Sequence, residues 1–487
     1  MKLKKILEGL EYKADNLDLN TEIEDIIYNS KLAKENTMFV CIKGFQADGH
    51  KYAKNSYEKG VRVFVVQKVI DLPEDACLIY VEDTRRFLAL ASAAFFGHPA
   101  KELTTVALTG TKGKTSTSFM LKNIFEDAGK KVGVMGTTGI FYDDVVIHSD
   151  NSTPESYEIQ KHFRSMVDRG VDVAILEATS QGFMLHRTDG ILFDYGVFTN
   201  LSPDHIGGNE HKDFDDYLNC KRVLFTQTKQ GFANIDSKYY NAMTEGAACP
   251  IKTYGFNEKA DLVATNPVFS AGENQLKTAF DCLEMGKAFT VSLNIPGMFS
   301  VYNALSAIAV AREYGIGYDI IENALKRTFV KGRMELIPDT GNFTVIIDYA
   351  HNELSVQSLF DTIKLYNPKK ITVIFGCGGN RSRLRRSGMG EIVAKNADFA
   401  YITSDNPRYE SVTDIINDIL EGMGKENERR EVIIDRKAAI EYALDHAEEG
   451  EVILIIGKGH QLYEEIEGVK HPFDERAIVL EHLASRN

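Results

Sequence analysis

Residues 108–115 read Leu108-Thr109-Gly110-Thr111-Lys112-Gly113-Lys114-Thr115 and follow an apolar run, Thr104 to Leu108. A segment with Phe119, Leu121, Ile124 and Phe125 near helical spacing comes next, with Gly129 as its stop signal. A strand, a glycine-bearing loop and a helix are the ingredients of a phosphate cradle. Backbone N–H groups in such a loop point at anionic oxygens, and the helix adds its positive N-terminal end. Lys114 is placed to reach the outer phosphates of a nucleotide, and the Thr115 hydroxyl to coordinate Mg²⁺. The loop is shorter than the common G-x-x-x-x-G-K-[ST] form, because only Thr111 and Lys112 separate Gly110 from Gly113. An ordinary strand-to-helix turn can share this spelling; the strand–helix context favours the cradle.

Two more side chains belong to the same chemistry. Glu177 follows the strand-like run Val173 to Leu176, and His205 lies in Ser202-Pro203-Asp204-His205, just after the run Tyr195 to Thr199. Mg²⁺ takes few protein ligands and fills its shell with water and phosphate oxygens. Thr115, Glu177 and His205 are therefore a candidate metal set. Alone, such a glutamate reads as a helix cap and such a histidine as a satisfied polar residue. Their placement after successive strands, beside a G-K-T loop, points to the metal.

The elements that must position these groups fall into three regions, 1–98, 99–330 and 331–487, within the two to four domains that 487 residues suggest. The first has short alternating apolar segments, such as Thr37–Cys41 and Val61–Val66, and ends at a linker-like His98-Pro99-Ala100. The second opens with the phosphate loop. In the third, apolar runs at 343–347, 371–375, 399–402 and 452–456 each end in a polar loop, with helix-like segments between them. That alternation predicts an α/β fold with a doubly wound parallel sheet and ligands beyond the carboxyl ends of its strands. The net charge of −14 argues against a nucleic-acid partner. No apolar stretch reaches the ~18–20 residues of a membrane span. The six cysteines form no C-x-x-C pair, and Glu8, Glu11 and Asp15 replace the apolar core of a secretory signal. The expected location is the reducing cytoplasm.

The ordered series Thr109–Thr115, Glu177-Ala178-Thr179-Ser180, Thr199–His205, Gly332-Arg333-Met334-Glu335, Asp348-Tyr349-Ala350-His351 and Asp405-Asn406-Pro407-Arg408 resembles the muramyl peptide ligases over nearly the full chain. The resemblance is to the branch that adds the third amino acid to UDP-N-acetylmuramoyl-L-alanyl-D-glutamate. It implies three domains: one for UDP, a central ATPase domain with a P-loop-like parallel sheet, and a Rossmann-like C-terminal domain that brings the amino acid. It implies an ATP- and Mg²⁺-dependent ligase of peptidoglycan precursor synthesis that works through an acyl phosphate.

The resemblance also assigns roles. Gly110, Thr111, Lys112, Gly113, Lys114, Thr115, Asn303, Arg333, Asp348 and His351 would bind ATP. Ser30 would touch the uridine, with Asp48-Gly49-His50 in the same domain. Ser152, Thr153, Ser180 and Arg187 would hold the muramoyl dipeptide. Lys221 matches a lysine that becomes carbamylated, and would join Thr115, Glu177 and His205 at the metals. Lys114, Lys221 and His205 would be the catalytic group. Arg386, Asp405, Asn406, Arg408, Gly457 and Gln461 would bind the incoming diamino acid. The chain departs from the family pattern at Lys112 (usually asparagine), Gln181 (usually histidine), Asn352-Glu353-Leu354 (usually Thr-Pro-Asp) and Gln461 (usually glutamate).

Asn406-Pro407-Arg408 resembles the signature of the meso-diaminopimelate adders, whose arginine clamps a distal carboxylate that L-lysine lacks. Residues 205–211 look more like the lysine-adding branch, and Gln461 lacks the charge that holds a substrate amine. meso-Diaminopimelate is the expected substrate, with L-lysine as the alternative. A folylpolyglutamate-type ligase and a non-catalytic nucleotide-binding partner are the remaining readings.

Overall fold

A computed structural model describes the chain except residues 46, 150, 204–205, 208–209, 273–274, 425–427 and 487, and the side chains of 272 and 275. His205 thus lies outside the described residues. The chain divides into two compact units, Met1–Val263 with Leu305–Gly317, and Ala264–Ala304 with Tyr318–Asn487.

The first unit opens with a small sheet whose strands run in the order Lys13–Asp15, Cys77–Tyr80, Val63–Val66, Thr37–Val40, Asp25–Ile27. Thr37–Val40 and Val63–Val66 are buried at every position, as expected of parallel strands covered on both faces. The helix Thr84–Phe95 covers one face with Phe87, Leu88 and Ala91. Asp83 caps it by accepting from the amides of Arg85 and Arg86, which supplies two of the donors that a helix start leaves unpaired.

The larger sheet of this unit centres on Thr104–Thr109, paired in parallel with Val173–Glu177 on one side and Phe193–Phe198 on the other. In this register Glu177 lies opposite Leu108, and Phe198 opposite Thr109. The loops after all three strands therefore emerge at one edge. The helix Lys114–Asp127 starts from Gly113, and Gly129 follows it at φ +79°, the stop read from the sequence.

In the second unit a mostly parallel sheet runs Glu335–Leu336, Thr344–Asp348, Glu451–Ile456, Lys370–Phe375, Phe399–Ile402, Arg430–Val432. The short first strand is antiparallel. Asp348, Phe375 and Ile402 align through Ile456 and Phe375, so the four polar loops read from the sequence leave one edge together. The antiparallel strands Gln275–Glu284 and Lys287–Leu293 belong to this unit too. Leu276 joins its core, and the Thr278 hydroxyl lies 2.6 Å from that of Tyr366. No helix among the described residues is long and apolar enough to cross a membrane.

Candidate functional site

The phosphate loop is shaped by contacts that come from far along the chain. Gly110 has φ +146°, and a Cβ there would lie 2.0 Å from Thr199 Oγ1, so only glycine fits. Asn200 clamps the loop: its Oδ1 accepts from the Lys112 amide at 3.0 Å, its Nδ2 donates to the Lys112 carbonyl at 2.9 Å, and its carbonyl accepts from the Thr111 amide at 2.9 Å. Thr199 Oγ1 donates to the same Lys112 carbonyl at 2.7 Å. Lys114 Nζ folds back onto the Gly110 carbonyl at 2.7 Å, and Lys221 Nζ donates to that oxygen at 3.1 Å. Lys221 is 2% exposed and lies 4.7 Å above the Tyr217 ring. The two lysines expected to act together thus meet at one carbonyl.

Glu177, the last residue of its strand, is also buried. It accepts from Thr115 Oγ1 at 3.1 Å and from Thr137 Oγ1 at 2.9 Å. The Thr137 hydroxyl lies 2.8 Å from that of Ser152. A line of hydrogen bonds therefore joins Thr115 and Glu177 to Ser152. Gly136 makes room for the carboxylate, since a Cβ there would lie 2.2 Å from Glu177 Oε1. The hydroxyl and carboxylate oxygens are hard donors, which suit Mg²⁺.

The other dipeptide candidates gather close by. Thr153 Oγ1 donates to the Glu177 carbonyl at 2.8 Å, and Arg187 donates to the Thr153 carbonyl at 2.8 Å. Arg187 Nε is buried without a hydrogen-bond partner among the described residues, 3.7 Å from Glu155, and burial lowers the guanidinium's pKa. Ser180 opens the short helix Ser180–Met184, which Thr179 caps. Glu155 also pairs with Arg85 at 2.9 Å, tying this region to the small sheet. On that sheet, Ser30 begins a helical turn capped by Asn29. Asp48 holds His50 Nδ1 at 2.6 Å and Lys68 at 2.7 Å. His50 Nε2 accepts from the Gln67 amide at 3.1 Å, so the proton sits on Nδ1. The Lys68 ammonium, with His50 beside it, holds the Asp48 carboxyl far below the usual carboxylate range.

In the second unit, Asp348 accepts from the Met334 and Ala350 amides, both at 2.7 Å. Burial raises its pKa, against the pull of Arg333. The Arg333 guanidinium stacks 4.7 Å over the Tyr349 ring, and its Nε is buried without a hydrogen-bond partner among the described residues. His351 Nδ1 lies 2.8 Å from the Tyr349 carbonyl. Asn303 is a buried residue of the helix Met298–Tyr314.

Asp405, Asn406, Arg408, Gly457 and Gln461 come together. Asn406 bonds Gln461 at 2.9 Å and Lys458 at 3.0 Å. A Cβ on Gly457 would lie 2.4 Å from Asp405 Oδ2. Arg408 has φ +53°; its Nε donates to Glu465 at 3.1 Å and its Nη1 to the Gly379 carbonyl at 2.7 Å. Arg386 is placed differently. It is 1% exposed, and its guanidinium is held at 2.9 Å by Glu410 and by Asp418. It braces the loop from below, through the Gly378 carbonyl at 3.4 Å. Beneath the same cluster Arg436 donates to Glu475 and to the carbonyls of Ser404 and Ile456, joining two strand ends.

Sequence reasoning missed Thr137, Asn200, Lys458 and the partners of Arg386. Asn200 was at hand in the motif Thr199–His205, and Lys458 in the polar loop Gly457-Lys458-Gly459-His460; the others carry no local signal.

Three family models match the chain: the Mur ligase family catalytic domain over residues 22–96, the Mur ligase middle domain over 108–311, and the Mur ligase glutamate ligase domain over 332–459. The chain belongs to the Mur ligase family. A relative from Clostridium acetobutylicum, named UDP-N-acetylmuramoyl-L-alanyl-D-glutamate--2,6-diaminopimelate ligase 1, is 38% identical, with 99% of each chain covered. A Clostridioides difficile ligase of the same activity name is 37% identical over 99% of this chain and 100% of its own. A solved structure of a UDP-N-acetylmuramoyl-L-alanyl-D-glutamate--2,6-diaminopimelate ligase superposes with a TM-score of 0.73 at 25% identity, covering 100% of this chain and 99% of that one. A folylpolyglutamate synthase from Mycobacterium tuberculosis shares the fold over 76% of this chain and 92% of its own, with a TM-score of 0.61 at 16% identity.

Proposed function

We propose that the chain is an ATP-dependent ligase that joins diaminopimelate to the D-glutamate of UDP-N-acetylmuramoyl-L-alanyl-D-glutamate, in the cytoplasm, during peptidoglycan precursor synthesis. The observation that carries this reading is the meeting of Lys114, Lys221, Thr115 and Glu177 around one phosphate loop, with Ser152, Thr153 and Arg187 beside it. The full-length relatives carry this activity in their names.

A carboxylate is a poor acyl donor because its leaving group would be oxide. A D-glutamate side-chain oxygen attacks the γ-phosphorus of ATP, the bond to the ADP oxygen breaks, and an acyl phosphate forms. The amine of the second substrate attacks the carbonyl carbon and sheds a proton. The tetrahedral intermediate then expels phosphate, leaving an amide, ADP and inorganic phosphate. The protein mainly positions and neutralises anions. The loop amides and Lys114 take the phosphates, and Asn303, Arg333, Asp348 and His351 are assigned to the rest of the nucleotide. Thr115, Glu177, His205 and a carbamylated Lys221 would hold Mg²⁺, which supplies charge neutralisation at the transferring phosphoryl group. Arg187, whose buried Nε lacks a hydrogen-bond partner among the described residues, and Ser180 are assigned to the dipeptide, and Ser30 to the uridine. The functional domains are proposed as 1–98, 99–330 and 331–487.

A phosphate-release assay with the UDP-muramoyl dipeptide and a panel of amino acids tests the reading. Release is expected only when ATP, Mg²⁺, the dipeptide and diaminopimelate are all present. Release with a folate acceptor, or none with any amino acid, would overturn it.

A further inference from the structure

We propose that His211, Asp216 and Cys220 form a binding site for a soft divalent cation of the Zn²⁺ class, separate from the Mg²⁺ set at the phosphate loop. Such a site would exist whether or not the chain is a ligase.

The site follows from the faces of one helix. Phe214–Arg222 carries Tyr217 and Lys221 one turn apart, and both are buried. This stripe faces the phosphate loop: the Tyr217 hydroxyl lies 3.0 Å from Thr111 Oγ1, and Lys221 Nζ donates to the Gly110 carbonyl at 3.1 Å. Asp216 and Cys220 are also one turn apart and form the neighbouring stripe, which is half-buried. His211 comes from the segment before the helix. Its ring lies 5.2 Å from that of Tyr217, and its Nδ1 lies 3.0 Å from Asp216 Oδ2. One donor atom from each of His211, Asp216 and Cys220 lies within 4.8 Å of the others. Around a tetrahedral Zn²⁺ the same donors would stand about 3.4–3.6 Å apart, so closing the site takes ~1 Å of side-chain movement. Asp216 and Cys220, being half-buried, have room for it.

Two further observations point to a cation. His211 is 0% exposed, yet its Nε2 has no hydrogen-bond partner among the described residues. Buried polar atoms are normally satisfied, and a ring with one nitrogen unheld can turn to offer either. The donor set also differs from the one beside it. Thr115 and Glu177 offer oxygens, which suit Mg²⁺. A thiolate, an imidazole and a carboxylate suit Zn²⁺ or Co²⁺ instead, and leave a fourth position for water. Cys220 is in no disulfide, and a thiol that coordinates a cation gives up its proton to solvent. A bound cation would tie His211 to the helix stripe beside Tyr217 and Lys221.

The test titrates the full-length protein, reduced and stripped of metal by a chelator, with Co²⁺ as a spectroscopic stand-in for Zn²⁺. About one Co²⁺ per chain should give the near-ultraviolet charge-transfer band of a thiolate ligand and the visible bands of a tetrahedral site. Zn²⁺ should abolish these bands, and millimolar Mg²⁺ should not. Cys220→Ser should remove the charge-transfer band, and Asp216→Asn should weaken Co²⁺ binding by ~10-fold or more. Cys249→Ser, at the other half-buried cysteine, should change neither. A second measurement needs no substitution: Zn²⁺ should protect Cys220 of the wild type from iodoacetamide, read by peptide mass spectrometry. No band in the wild type, a band that survives in Cys220→Ser, wild-type affinity in Asp216→Asn, displacement by Mg²⁺, or equal labelling of Cys220 with and without Zn²⁺ would each overturn the proposal. None of these readouts involves turnover, so they stand or fall apart from the ligase reading.

Discussion

The phosphate loop and the loop cluster after the C-terminal strands sit at the same kind of place, the carboxyl edge of a parallel sheet, but they are held differently. Around the phosphate loop the shape comes from backbone groups and short side chains. Asn200 and Thr199 fix the Lys112 carbonyl, and the two long side chains there, Lys114 and Lys221, share the Gly110 carbonyl. In the C-terminal cluster, long charged side chains hold the loops from beneath: Arg436 with Glu475, Arg386 with Glu410 and Asp418, Lys458 with Asn406. A site for phosphate can be made from amides because its ligand is a compact anion. A site that must tell one diamino acid from another needs side chains with fixed hydrogen-bond directions, and those need a buried framework.

The contrast predicts that a charge deletion costs stability in one cluster and only turnover in the other. Arg436→Leu leaves Glu475 buried at 1% exposure without its guanidinium. We expect a loss of about 3–5 kcal/mol in the unfolding of the second unit, as for other broken buried pairs. Urea unfolding followed by hydrogen exchange within residues 331–487 measures it. A change below ~1 kcal/mol would remove Arg436 from the framework.

Lys114→Ala should do the reverse. Its unfolding midpoint should match the wild type, while the rate of ATP-dependent amide formation falls by at least ~100-fold, about the cost of one preorganised donor. Near-normal turnover in a folded variant would break the assignment of the loop.

Arg408→Ala should give a smaller, selective effect. The kcat/KM for meso-diaminopimelate should drop by roughly 10-fold or more, while that for L-lysine changes little, because only the first has a carboxylate for the fork. Equal losses for both amino acids would make Arg408 a brace of its loop and not a ligand.

The smallest effect expected is on pH dependence in the first unit. His162 is buried, its Nδ1 3.0 Å from the Tyr142 hydroxyl, and burial pushes its pKa down to about 4 although Glu158 lies 3.9 Å from Nε2. In the unfolded chain a histidine takes its proton near ~6.5. Between those values the unfolded state binds more protons, so stability falls as pH drops from ~6.5 towards 4. His162→Gln should show a shallower loss between pH 7 and pH 5 in urea midpoints. A variant that loses as much as the wild type would exclude His162 as the source.

Local chemistry explains what was legible. The G-K-T loop, its strand and its helix stop at Gly129 lie within one short stretch, and the four strand–loop junctions of the C-terminal sheet are each a run of apolar residues ending in polar ones. Asn200 reaches the loop from 88 residues away, and Lys458 meets Asn406 across 52. Neither distance leaves a trace in spacing or periodicity. The resemblance of Arg385–Gly390 to the family assigns Arg386 to the amino acid; its pairing with Glu410 and Asp418 depends on helix packing that composition does not reveal. The grouping of residues 264–304 with the C-terminal unit was equally hidden, since it comes from Leu276 and Thr278 packing into that core.

The expectation at the centre is that Arg408 makes this Mur ligase select a diamino acid with a distal carboxylate. Its most direct test is a competition. The full-length protein is given ATP, Mg²⁺, UDP-N-acetylmuramoyl-L-alanyl-D-glutamate and equal concentrations of meso-diaminopimelate and L-lysine, and the peptide product is identified by mass spectrometry. The account predicts the diaminopimelate tripeptide as the dominant product, with one phosphate released per amide formed. A dominant lysine tripeptide would contradict it.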